Sequence, residues 1–375
     1  MSSRPSVKTI AEGKVFLLTL LRHVIVTGLV TIAVTILLQS AWVMASPTSA
    51  QGGAQPPQGS PAASTEPLDF PVFVERLRVE AAERGISEDT IKLALTTLEP
   101  SPSVIERDQT QAELVLSIDD YLARRLTRPV IRTARANATK HKALLARVHD
   151  KYGVSPRFVV AIWGLESNFG RFSGVRPTIQ ALATLAWEGR RGPFFRGELM
   201  DALTILDRKH AALEQLKGSW AGAMGQTQFM PSSYLKWAED FDEDGDRDIW
   251  RSTPDVFASI ANYLKSHGWS SERTWGREVT LPDSGIAAIR EKAGMRSEGC
   301  RAEREMTKLL PLQAWRDLGV KTADGKALPR VEIEASLIST GKRTFLVYGN
   351  YDALLEYNCA HSYALAVALL SERIG

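Results

Sequence analysis

The chain has 375 residues, 44% apolar and 24% charged, which is room for one large domain or two to three small ones with an ample core. Its formal net charge of +3 sits in residues 1–50, where Arg4, Lys8, Lys14 and Arg22 stand against Glu12, and the rest balances 42 basic with 42 acidic side chains. A neutral body excludes nucleic-acid binding driven by bulk charge.

Residues 1–50 read as an export signal or N-terminal anchor: a basic stretch, the apolar run Val24–Leu38, then small-residue sites at Val43-Met44-Ala45 and Thr48-Ser49-Ala50. The run is short for a spanning helix, which favours cleavage, while Val15–Leu21 supplies the extra apolar length an uncleaved anchor needs. No cysteine near the cleavage region marks a lipid-modified terminus. Residues 51–67, built from Ser, Pro, Gln, Gly and Ala, read as a flexible linker.

Helical spacing then runs from Phe70 to about Asp150. Phe73, Leu77 and Ala81 make one segment, Ser87–Leu98 a second capped by Ser87, and Leu114–Leu126 and Val130–Val148 two more. The next helix opens with Ser155 as cap and Pro156 at its first position, and Gly170 marks its stop. Phe158, Ile162, Leu165 and Phe169 form its apolar face, and Val159, Trp163 and Glu166 an adjacent stripe. A carboxylate placed there has lost water and sits near the negative end of the helix dipole, and both effects raise its pKa. That prepares a general acid for a glycosidic oxygen. The plainer alternative is a glutamate paired with a nearby arginine.

Gly218-Ser219-Trp220-Ala221-Gly222-Ala223-Met224-Gly225 is rich in small residues and permits close backbone approach, by a sugar ring or by a packed helix. Gln228 offers a donor and an acceptor, Met224, Phe229 and Met230 offer apolar surface, and Ser232 can cap the following helix. Asp240, Asp242 and Asp244 with Gly245 fit the first half of a calcium loop, but position 12 is Arg251, which cannot chelate. A solvated acidic turn is the alternative. After Trp269 the texture changes: Val279–Leu281, Val331–Ile338 and Thr344–Tyr348 favour strands, with helical segments 286–293 and 311–318 between them and a helical tail over 351–374. Cys300 and Cys359 can pair in an oxidising compartment or remain buried thiols.

Four ordered motifs resemble the lytic murein transglycosylase B family: Glu166-Ser167-Asn168-Phe169-Gly170; Gly222-Ala223-Met224-Gly225 with Gln228-Phe229-Met230-Pro231-Ser232-Ser233-Tyr234; Ala261-Asn262-Tyr263-Leu264 with His267-Gly268-Trp269; and Tyr357-Asn358 with Tyr363-Ala364. The resemblance runs from about Phe70 to the C-terminus. It implies a mainly α protein: an accessory helical region over 68–150, a lysozyme-like core over 151–275, a mixed region with a small β insertion over 276–350, and helices over 351–375 that complete a substrate groove. It implies a periplasmic enzyme acting on peptidoglycan glycan strands, with no nucleic-acid partner, without organic cofactor, monomeric, and a candidate partner of cell-wall synthases.

Residue by residue, the family's catalytic glutamate matches Glu166. Its sugar-contacting positions match Ser219, Gln228, Tyr263, Tyr357, Asn358 and Tyr363, its arginine pair matches Arg190 and Arg191, and Met224 is expected to add apolar substrate-binding surface beside them. Its longer calcium loop implies Asp240, Asp242, Asp244, Asp246 (through its carbonyl) and Asp255 as ligands of a structural ion. Ala360 departs from the serine usual at that position. Ordinary glycosidases need two carboxylates; the nearest to Glu166 in sequence are Glu188, Glu198 and Asp201, and Glu198 reads as a partner of Arg196 or Arg191. The resemblance implies a reaction without a second acid, in which the muramoyl 6-hydroxyl closes a 1,6-anhydro ring. A hydrolytic muramidase and a non-catalytic peptidoglycan-binding protein are the competing readings, and retention of Glu166 argues against the latter.

Overall fold

The computed structural model describes residues 68–110 and 116–375; the export signal and the linker expected from the sequence lie outside them. Sixteen α-helices and seven strands occur among the described residues, and no helix there is long and apolar enough to cross a membrane.

Helix α1 (Phe70–Glu83) buries Phe70, Phe73, Val74, Leu77 and Ala81 along one stripe. Helix α2 (Glu88–Leu95) starts at Ser87, whose hydroxyl accepts the Thr90 amide, as its sequence predicts. Helix α3 (Pro102–Thr110) has no counterpart in the sequence reading. The segment expected over 114–126 is the shorter α4 (Ile118–Arg125). The one expected over 130–148 is two helices, α5 (Arg128–Lys140) and α6 (Lys142–Tyr152), hinged at His141. Next come α7 (Pro156–Ser167), α8 (Thr178–Glu188), α9 (Gly192–Asp207), α10 (Pro231–Trp237) and α11 (Thr253–Ser266). Two short strands, β1 (Arg176–Pro177) just before α8 and β2 (Lys217–Gly218) after α9, pair antiparallel.

Two hydrophobic cores divide these helices. In one, α4 to α7 pack against α11 and the C-terminal helices; in the other, α1 to α3 pack against α8 and α9 through Leu77, Leu95, Leu182, Leu199 and Leu203. The core boundary therefore falls inside the segment 68–150, because its first three helices and its last three bury their apolar stripes on different partners.

The β insertion is an antiparallel five-stranded sheet in the order β4-β6-β7-β3-β5, from Leu310–Pro311, Glu334–Ser339, Thr344–Val347, Gly276–Thr280 and Lys321–Thr322. Helices α12 (Gly285–Ala293), α13 (Arg301–Arg304) and α14 (Leu312–Asp317) accompany it, and Trp315 and Leu312 seal its own small core. The tail is two helices, α15 (Gly349–Tyr357) and α16 (His361–Ile374), broken by extended residues at Asn358 and Ala360. A Cys300–Cys359 disulfide fastens that break to α13, with Cα atoms 6.3 Å apart, which resolves the question the two cysteines left open.

Candidate active site

Glu166 lies one residue from the end of α7. Ser155 stands at the N-cap position without a side-chain cap bond, and Pro156 takes the first turn. The helix is stopped not by Gly170 alone but by three consecutive left-handed residues, Asn168, Phe169 and Gly170, at φ 51°, 61° and 77°. Two of them are not glycine, so this backbone is strained and held by its neighbours. Ser167 does part of the holding: its hydroxyl donates to the Trp163 carbonyl at 2.9 Å and accepts the Gly170 amide at 3.0 Å.

Gln226, which the sequence reading passed over, ties the glycine-rich segment to α7. Its amide oxygen accepts the Trp163 indole N–H at 2.7 Å, and its amide nitrogen donates to the Trp250 carbonyl at 2.8 Å. Its only signal in the sequence is its place between Gly225 and Thr227. The glycines of this segment lie close against the protein itself. A Cβ on Gly225, which has φ 65°, would stand 2.7 Å from the Ile249 carbonyl, and one on Gly222 would meet Leu182. The tight-packing alternative is the one the structure realises.

Tyr263, Tyr357 and Tyr363 gather into an aromatic wall in which Tyr263 and Tyr363 are buried and Tyr357 is half-buried. Ring centroids of Tyr263 and Tyr357 are 4.8 Å apart, and Tyr357 stacks on Tyr363 at 6.3 Å with planes 14° apart. The Tyr357 hydroxyl donates to the Thr227 carbonyl, and the Tyr263 hydroxyl to the Glu356 carbonyl, both at 2.7 Å. The Tyr363 hydroxyl is buried without a regular hydrogen bond, yet it is near enough to Glu166 to act on its carboxylate.

Burial raises the Glu166 pKa to about 7, while the Tyr363 hydroxyl and the Arg125 guanidinium pull it the other way. Arg125 comes from α4, far away in sequence, and reaches α7 by donating to the Leu165 carbonyl at 3.0 Å. It is the second residue at the site that the sequence did not point to. Glu166 opens on a cavity of about 360 Å³ lined also by Arg124, Arg125, Asn168 and Phe172, and among the lining residues Glu166 is the only carboxylate.

The other expected contacts divide. Gln228 has φ 52° and turns its amide nitrogen into its own loop, onto the Gly225 carbonyl at 2.8 Å. The Ser219 hydroxyl accepts the Ala221 and Ala223 amides at 3.3 and 3.2 Å. Asn358 is exposed at the break between α15 and α16. Met224 is corrected: its side chain has no exposure and belongs to the second core, so apolarity there serves packing. Arg190 and Arg191 have a partner within the protein. Both bind the buried carboxylate of Asp108 on α3, Arg191 at 2.7 Å, because an acid that is only 2% exposed needs that compensation. Glu198 pairs with neither Arg196 nor Arg191; its two oxygens accept the Ser232 amide at 2.9 Å and hydroxyl at 2.7 Å. Ser232 is thereby inside α10 and Met230 holds the cap position.

Asp240, Asp242 and Asp244 each offer an oxygen within 4.8 Å of the others. Asp240 also accepts the Gly245 amide at 3.0 Å, and Asp242 accepts the Ser252 hydroxyl at 2.7 Å, so the carboxylates are held in place. Asp255 is fully buried and closes the loop through the Phe241 and Asp248 amides, both at 2.8 Å. Burial, then the charges of Asp242 and Asp240, raise its pKa to about 6. The Asp246 carboxylate is not in the cluster; its amide donates to Asp244 at 2.9 Å. A hard divalent cation fits this all-oxygen set and offsets the repulsion among its acids.

Residues 69–372 match the transglycosylase SLT domain family. Membrane-bound lytic murein transglycosylase B of Escherichia coli K12 is 33% identical over 236 residues, 63% of this chain and 61% of that protein, so the match spans under two thirds of that relative's length. SltB3 from Pseudomonas aeruginosa, solved in complex with NAG-anhNAM-pentapeptide, superposes with a TM-score of 0.74 and 38% identity over 81% of this chain and 79% of that one. Slt35 from Escherichia coli, solved in complex with calcium, gives 0.67 and 25% identity over 80% and 92%.

Proposed function

This chain belongs to the transglycosylase SLT domain family, and from that premise we propose that it is a lytic transglycosylase of peptidoglycan with Glu166 as its single acid and base. The observation that carries the reading is a carboxylate with a pKa near 7 in a cavity that no second acid among the described residues lines. Protonated Glu166 donates to the oxygen between N-acetylmuramic acid and N-acetylglucosamine, and the C1–O bond breaks. The 2-acetamido oxygen steadies C1. The carboxylate left behind then accepts the proton of the muramoyl 6-hydroxyl as that oxygen bonds C1, which restores Glu166 and releases a 1,6-anhydro end. No water enters, and the intramolecular attack gains from proximity. An inverting hydrolase would need a second carboxylate across the bond to activate water.

Glycan recognition rests on the tyrosine wall, with Ser219, Gln228 and Asn358 as polar contacts. Asp240, Asp242 and Asp244 would hold a calcium ion, with Asp246 and Asp255 as the remaining residues of the loop. Its role is structural, since none of these residues lies on α7. The expected location is the periplasm, in keeping with the membrane-bound relative.

Mass spectrometry of digested peptidoglycan tests the reaction. Fragments one water lighter than hydrolysis products are expected, and Glu166→Gln should cut their formation by about 100- to 10,000-fold while remaining folded. Predominantly hydrated ends would instead make the protein a muramidase.

A further inference from the structure

We propose that Arg124 and Arg125 form a receptor for a carboxylate carried on the lactyl arm of the muramoyl residue, either the arm's own or that of a peptide attached to it. The proposal rests on the peptidoglycan reading above and adds what the enzyme discriminates.

The first observation is one of charge. From Tyr121 to His149 the chain contains no aspartate or glutamate, but eight cations: Arg124, Arg125, Arg128, Arg132, Arg135, Lys140, Lys142 and Arg147. All eight are exposed, and none joins the ion pairs formed elsewhere among the described residues. The chain beyond residue 50 is neutral, so this excess is local.

The second observation is one of place. Of the eight, only Arg124 and Arg125 line the cavity that holds Glu166, beside Asn168 and Phe172. Arg125 is anchored through the Leu165 carbonyl, and its Nε reaches the Tyr121 hydroxyl at 3.4 Å. A fixed guanidinium loses less freedom on binding an anion than a loose one. Phe172 is 50% exposed and gives the cavity an apolar side. Sugar rings are neutral and do not need paired cations. The charged part of a glycan strand of this kind is the lactyl arm, as a free acid or as a peptide ending in acids, and it carries methyl groups that suit Phe172. Arginine's planar fork fits a carboxylate. A bound carboxylate would also cancel the influence of Arg125 that works against protonation of Glu166, so the preferred substrate would help to keep its own acid charged with a proton.

The test compares kcat/KM on three substrates: strands bearing stem peptides, amidase-stripped strands with free lactyl carboxylates, and stripped strands with those carboxylates converted to methylamides. Wild type should prefer a carboxylate-bearing strand over the blocked one, and Arg124→Gln should shrink that preference about tenfold, or about 1.4 kcal/mol. Arg124→Lys should restore part of it, and Lys142→Gln, outside the cavity, should keep it. Preference lost only on peptide-bearing strands assigns the carboxylate to the peptide; lost only on stripped strands, to the lactyl group. Equal losses on all three substrates overturn the receptor. Binding of the three strands to full-length Glu166→Gln, by calorimetry, separates this idea from the reaction itself: carboxylate-dependent binding without turnover in the wild type would remove the proposed activity and leave the receptor standing.

Discussion

At the residue scale, Glu166 shows how position makes an acid. A carboxylate on solvent titrates well below neutrality, and burial moves this one to about 7. In the proposed reaction the protonated form is the donor, so turnover should persist below that pH and fall as pH rises through it. Tyr363 opposes the shift by favouring the charged form. Removing its hydroxyl with Tyr363→Phe should therefore move the alkaline limb of the kcat profile upward, by about one unit if the lost contact is worth about 1.4 kcal/mol. A limb that stays in place, or moves down, would show that the hydroxyl has no such hold on Glu166. The helix, its apolar stripe and the raised pKa were legible in the sequence, because all three follow from local spacing. Arg125 was not, since nothing local links α4 to the end of α7.

At the scale of elements, two devices fix the geometry of the site. The disulfide between α13 and the break before α16 closes a loop of 59 residues and sits two residues from Tyr357 and four from Tyr363. In the chain-entropy account a loop of that length contributes about 4 kcal/mol through the unfolded state. Replacing both cysteines with serine should lower the melting temperature by several degrees, and should lower kcat/KM as the tyrosine wall loosens. An unchanged melting temperature would mean that packing alone holds the break. The second device is the acidic loop. A cation that binds only the folded protein stabilises it by about 2.7 kcal/mol at a hundred times its dissociation constant. Chelation should therefore lower the melting temperature of the wild type, and Asp244→Ala should abolish that response. If chelator changes nothing and no metal copurifies, the loop is an acidic turn. The sequence showed the three aspartates and the failed position 12, but not that each Asp255 carboxylate oxygen accepts a backbone amide.

At the scale of the molecule, the two helical cores make the N-terminal helices indispensable. Phe70, Phe73, Leu77, Ile91 and Leu95 bury their side chains against the same core as Leu182, Leu199 and Leu203, and each contributes roughly 1.5–3 kcal/mol. Deleting residues 68–110 should thus yield insoluble or largely unfolded protein, and would also leave Arg190 and Arg191 without Asp108. A truncated protein with native circular dichroism and a cooperative melt would show that the second core closes without them.

What the sequence determined by itself was whatever depends on neighbours along the chain: the amphipathic stripes, the Ser87 cap, the alternation of the β insertion, the aspartate spacing and the motif around Glu166. Tertiary structure decided the rest. Asp108 took Arg190 and Arg191, the Ser232 amide and hydroxyl took Glu198, and Leu182 and Ile249 filled the space beside Gly222 and Gly225. In each case a buried charge or a void had to find a partner, and the partner nearest in space lay dozens of residues away in sequence.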